Sequence, residues 1–261
     1  AVSDRLRERP ATSSNYPDPS RIDVFKIRGQ GPAAVLQFSR STALADEEPR
    51  TGDVHLDVLV GTDLAGKPCG RAELQHLTES GLLVSVGQRR WVFAHRSFQE
   101  HLAAEFLRDR LAPEVRRELL WVGSGPARHI LPEHEEVAAR LAVGDPNLFD
   151  DLVAHDPWVA LLADLPALPD DRRRQVAQAL LDTAADTTPG YLELALLARL
   201  DHSELAEQLT PFLTSQAHPN GRYLALWVAA ACQPAGLTAG CCPSPKTPKR
   251  RLICGPSRSL G

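Results

Sequence analysis

From Glu135 to Cys232 the sequence is a succession of short apolar-periodic segments, each closed by Pro, Gly or Asp before it can lengthen. EEVAARLA (Glu135–Ala142), NLFDDLVA (Asn147–Ala154) and WVALLADL (Trp158–Leu165) come first. RRRQVAQALLDTA (Arg172–Ala184), GYLELALLARL (Gly190–Leu200), SELAEQLTPFL (Ser203–Leu213) and GRYLALWVAAAC (Gly221–Cys232) follow. Helices of this length are marginal in isolation, so each must bury an apolar face on a neighbour. Val176 and Leu180 lie four apart, as do Leu192 and Leu196, and each pair shares a helical face. The pattern predicts consecutive antiparallel helix pairs with one continuous core over residues 130–232, stacked rather than closed into a bundle. Its period is irregular, which leaves the repeat family open.

The N-terminal part reads differently. Residues 1–31 contain ATSSNYPDPS and are expected to be a linker or poorly ordered edge. Pro32–Ala45 (PAAVLQFSRSTALA) is expected to form one helix, broken by ADEEPRTGD. RAELQHLTES then supplies a second helix, and Leu83–Val86 with Trp91–Ala94, joined through Gly87, reads as a hairpin. Helix, hairpin and following helix make a winged-helix-like module over residues 32–110. The α-helical array occupies 111–239 and is expected to be HEAT- or armadillo-like, so the chain is mainly α. Residues 240–261 carry Lys246, Lys249, Arg250, Arg251 and Arg258 with no acid, and are expected to be a disordered basic tail.

At the end of the hairpin WVFA runs directly into HRSFQEHLAAEFL. Ser97 followed by Glu100 reads as a capping box that starts a helix, each side chain answering the other residue's amide. Phe98, Leu102 and Phe106 share one face, with Ala103 beside them, and are expected to pack inward. His95 sits just outside the helix. A corner histidine can simply bond nearby backbone; an imidazole is also well suited to phosphate recognition, because it donates from one nitrogen and its protonation answers a nearby anion.

ELQHLTESGLL followed by WVFAHRSFQEHLAAEFL resembles the winged-helix region that closes the nucleotide-binding module of NACHT-type signal-transducing NTPases. These belong to the STAND class, which includes animal NOD-like receptors and bacterial antiviral proteins. The resemblance runs over Asp57–Arg110 and rests on Phe93, His95, Phe98, Gln99 and Glu100, with Ala103 and Ala104. It implies that His95 contacts the phosphate side of ADP held by an upstream NACHT domain and helps keep a closed, inactive arrangement. Phe98, Gln99 and Glu100 would mainly build the helix start. ADP or ATP with Mg would belong to an intact parent protein, and the isolated chain is expected to carry no cofactor. A phosphate-binding loop requires Gly-Lys followed by Ser or Thr; in GTDLAGKPCG, Gly66 and Lys67 are followed by Pro68. This chain is therefore expected not to be an enzyme.

Other chemistries are weaker. Across Arg71–Arg110 the net charge is only +1, a poor footprint for duplex binding through α-helix RAELQHLTES or the Arg89–Arg90 tip, which reads as solvated. The histidines show no HExxH, and adjacent Cys241 and Cys242 lack the separation of a zinc half-site. GSGPA (Gly123–Ala127) is not the nucleophile elbow G-x-S-x-G, and no strand is expected to lead into it. Asp170 and Asp171 suit the first turn of a helix, and Arg172–Arg174 reads as its charged outer face. Cys232 reads as a small core residue. Trp121, Trp158 and Trp227 fit helix contacts.

With 25 arginines against four lysines, the composition points to a GC-rich bacterial genome. Five scattered cysteines fit a reducing cytoplasm better than a disulfide scaffold. No apolar run is long enough for a membrane span. Methionine is absent even at position 1, as expected of a fragment or processed chain. The resulting expectation is a regulatory and interaction portion of a NACHT/STAND signalling or antiviral protein, partnered by its upstream domain and by a protein ligand or its own copies. A free-standing helical scaffold without nucleotide coupling and a winged-helix DNA binder are the alternatives.

Overall fold

A computed structural model describes residues 19–39, 41–47, 49–60, 70–186, 193–214 and 219–237. The chain is mainly helical, with an open sheet near its N-terminus. It divides into two compact units, one ending at Leu180 and the other beginning at Leu181, inside a single helix, so residues 130–232 do not share the one continuous core expected of them. Gly66, Lys67, Leu192 and the basic tail lie outside the described residues.

In the first unit, helix α1 (Pro19–Phe38) leads to β1 (Ala43–Ala45) and β2 (Asp53–His55), followed by a 3-10 turn at Leu56–Val58. Helix α2 (Arg71–Thr78), the hairpin β3 (Leu83–Ser85) and β4 (Arg90–Phe93), and helix α3 (Arg96–Arg110) complete this part. The sheet order is β2-β1-β4-β3. Strand β4 pairs antiparallel with β1 through Leu44↔Trp91 and with β3 through Leu83↔Phe93, whereas β1 and β2 run parallel. The hairpin turns through Gly87, Gln88 and Arg89, all at positive φ.

The expected helix from Pro32 to Ala45 is corrected at both ends. Helix α1 begins at Pro19, within the stretch read as linker, and continues through Pro32. It stops at Phe38, and Ala43–Ala45 is a fully buried strand. A proline followed by a good apolar run looks like a helix start; what extends the helix backwards is packing. Helix α1 lies along α3 and touches α2. Gly29 permits the close approach: a Cβ there would stand 3.0 Å from the Leu102 side chain. Leu36, Leu44, Leu74, Leu77, Phe93 and Leu107 are all buried in this unit.

After α3 the chain forms α4 (Pro113–Leu120), a helix that the apolar patterns did not single out. Next comes a small hairpin, β5 (Trp121–Val122) with β6 (His129–Ile130), paired through Trp121↔Ile130. A strand therefore does lead into Gly123, against expectation. Its glycine is structural: at φ +78° an added Cβ would lie 2.6 Å from the Ala127 carbonyl oxygen. Ser124 is exposed and extended, not strained as an elbow nucleophile would be.

Helices α5 (Glu135–Ala142), α6 (Pro146–His155) and α7 (Pro157–Leu162) pack on one another, and α3 packs on α5. Helix α8 (Asp170–Asp186) opens with Asp170 and Asp171 as expected, and it buries Val176 and Leu180. Of the expected charged outer face Arg174 is exposed, whereas Arg172 is half-buried. It pairs with Asp150 and lies 5.2 Å from the Phe149 ring centroid, while Arg173 pairs with Asp170. In the second unit α9 (Leu194–Leu197), α10 (Leu205–Thr214) and α11 (Pro219–Cys232) form the core, with α11 packed on both others. Cys232 is half-buried rather than a core residue, and its thiol donates to the Leu197 carbonyl at 3.3 Å. No helix among the described residues is long and apolar enough to cross a membrane.

Candidate functional site

The turn between β4 and α3 is set by backbone pairing before any side chain contributes. The Ala94 amide donates to the Leu82 carbonyl at 2.8 Å, closing the hairpin. His95 is extended at φ −137°, ψ 138°, and its carbonyl accepts from the Phe98 amide at 3.1 Å and the Gln99 amide at 3.4 Å. His95 is thus the N-cap residue of α3. Its side chain makes no capping hydrogen bond and stands exposed, edge-on to Phe98 with ring centroids 5.7 Å apart.

The capping box does not form. Its geometry requires the hydroxyl residue at the N-cap, yet the N-cap is His95 and Ser97 lies two residues further in. Ser97 is exposed, and the buried Glu100 turns instead to Arg96, whose Nε donates to Oε1 at 2.7 Å. Phe98 is the second correction, at 45% exposed. Leu102 is buried as expected, Phe93 is buried at the end of β4, and Phe106 is half-buried. The stripe of Phe98, Leu102 and Phe106 therefore begins outside the core.

Gln99, one turn beyond His95, points the other way. Its Nε2 donates to Gln37 Oε1 on α1 at 3.0 Å. Gln37 is 5% exposed and donates from Nε2 to the Glu133 carbonyl, with His134 Nδ1 3.4 Å away. Sequence reasoning missed this connection because Gln37, Gln99 and His134 have no periodic relationship; only the packing of α3 against both α1 and α5 brings them together.

A separate cavity of about 520 Å³ opens between α2 and the sheet, lined among others by Asp46, Leu56, Arg71, Gln75, Arg89 and Trp91. His95 does not line it. Asp46 bridges Arg71 and Arg89; Arg71 also pairs with Asp57, and Arg89 with Glu47. Arg90 is not part of a solvated tip, since it is half-buried and bound to Asp53. These arginines are thus already answered by carboxylates. Among the described residues no group of three or more His, Cys, Asp or Glu side chains is arranged to hold a metal ion.

No protein-family model, curated protein or solved structure matches the chain.

Proposed function

We propose that this chain is the non-catalytic regulatory and interaction portion of a NACHT/STAND signalling or defence protein. In this reading the part up to α3 is the winged helix, and His95 senses the phosphates of a nucleotide held by an upstream domain. The sequence of helix, strand, helix, hairpin and helix, with β4 between β1 and β3, supports the winged-helix assignment; the parallel β2 is an addition to that plan. The short packed helices after α4 support a HEAT- or armadillo-like interaction array, which would face a protein ligand or a second copy.

The observation that carries the reading is the exposed His95–Phe98 pair on the first turn of α3. Unsatisfied amides and the helix dipole favour an anion at such a terminus, and a neighbouring imidazole adds a donor. Phe98 would gain burial when a domain covers that turn. These residues fit one contact to an ADP phosphate. The remaining contacts, Mg and any ATP hydrolysis belong to the upstream domain. DNA binding is the poorer reading, because Arg71, Arg89 and Arg90 are each engaged by carboxylates.

The test is calorimetric titration of ADP into the chain joined to its upstream domain, with and without His95→Ala. Loss of one charge-assisted contact should weaken ADP binding by about 1.5–3 kcal/mol, roughly one to two decades in Kd. The 261-residue chain alone should not bind ADP at micromolar concentration. Equal affinity of the two forms would reduce His95 to a corner residue.

A further inference from the structure

One buried amide joins three segments that are far apart in sequence. Gln37 stands near the end of α1 and receives Gln99 Nε2 on its carbonyl oxygen at 3.0 Å. Its own nitrogen donates to the Glu133 carbonyl and lies 3.4 Å from His134 Nδ1. His134 is 4% exposed, is the N-cap residue of α5, and has the Phe38 ring 4.5 Å from its own by centroid. Gln99 belongs to the first turn of α3, and its backbone amide bonds the carbonyl of His95.

A side-chain amide has a fixed distance between its oxygen and its nitrogen. Held at both ends and itself buried, it cannot accommodate movement of one partner without straining or abandoning the other, and an abandoned buried polar group is costly. Movement of the α3 first turn is therefore felt at the start of α5, the first helix of the array. We propose that Gln37 is a positioning residue that relays the state of the His95 turn, through Gln99, to the His134 start of the helical array. The use of this relay in signalling rests on the reading of His95 as a nucleotide sensor; the mechanical link does not.

The link is testable in the 261-residue chain without nucleotide, so its failure is distinguishable from failure of the ADP titration. The readout is hydrogen exchange of the His134 amide, which donates to the Leu131 carbonyl at 2.8 Å. Gln99→Leu keeps the bulk of the side chain and removes the donor. It should raise exchange at His134 about threefold or more, the scale expected of residues coupled in one network, whereas Ser97→Ala on the same turn should not. A double-mutant cycle of Gln99→Leu with His134→Phe, followed by urea unfolding, should be non-additive by a similar factor. In a Gln37→Met background that non-additivity should vanish. Unchanged exchange in Gln99→Leu overturns the relay even if Gln37→Met does not fold, and coupling that survives Gln37→Met assigns it to another route and also overturns it.

Discussion

Arg90 grips Asp53 with two parallel hydrogen bonds, Nε to Oδ2 and Nη2 to Oδ1, each 2.7 Å long. The arginine sits on the central strand β4 and the aspartate at the start of β2, two strands away. The Asp53 side chain has no solvent exposure. Arg90's hydrogen bonds outweigh the opposing effect of burial and, aided by the Arg50 amide, lower the Asp53 carboxyl from 3.8 to about 2.

A carboxyl lowered on folding contributes its stability above the unfolded value and loses it as pH falls through the folded one. The loss due to Asp53 therefore lies between pH 3.8 and about 2. Urea midpoints measured across that window should fall more steeply for the wild-type chain than for Asp53→Asn. Parallel curves would mean that the pair does not distinguish the folded from the unfolded state.

Phe98 and Leu102 sit one turn apart on α3 but differ sharply in environment, at 45% and 2% exposed. Leu102→Ala should cost about 2–5 kcal/mol, as expected for a core truncation. Phe98→Ala should stay within about 0.5 kcal/mol in this chain, as surface changes do. Chemical denaturation of both variants decides it. A large loss from Phe98→Ala would place that ring in the core and remove one support for a covering domain.

Cys232 is a chemical probe of the second unit. Burial, with Asp201 adding to it, pushes its thiol up to about 12. Only the thiolate is nucleophilic, and an ordinary thiol has a pKa near 8.5. At pH 8 its alkylation by iodoacetamide should be slower than that of a free thiol by on the order of 100-fold or more. Peptide mass spectrometry over a time course would measure this, and alkylation at the free-thiol rate would show that the site opens.

The later helices were legible because they combine local breakers with apolar spacing. The expected segment Glu135–Ala142 coincides with α5, and Asn147–Ala154 lies within α6 at Pro146–His155. The hairpin was legible for the same reason: Leu83 and Trp91 bracket a turn containing Gly87. Helix α1 was not, since its limits depend on Gly29 meeting Leu102 across the fold. Nor was the strand Ala43–Ala45, where three buried apolar residues carry no period that separates strand from helix. His95 was located correctly at the helix entrance, but the hydrogen bonding around it was misassigned. The Ser97/Glu100 spacing fits a capping box only if the helix begins two residues later than it does.

That difference gives a direct comparison of two helix starts. Asp145 caps α6: its Oδ1 accepts from the Leu148 amide at 3.1 Å, and Pro146 follows at the first helical position, where its missing N–H costs no helical bond. Asp145→Ala should destabilise the chain by about 0.5–2 kcal/mol. Ser97→Ala, lacking any such capping bond to lose, should cost less than about 0.5 kcal/mol when measured in the same urea series. Equal losses at the two positions would restore a capping role to Ser97 and move the true start of α3 beyond Arg96, taking His95 out of the N-cap position on which its proposed phosphate contact depends.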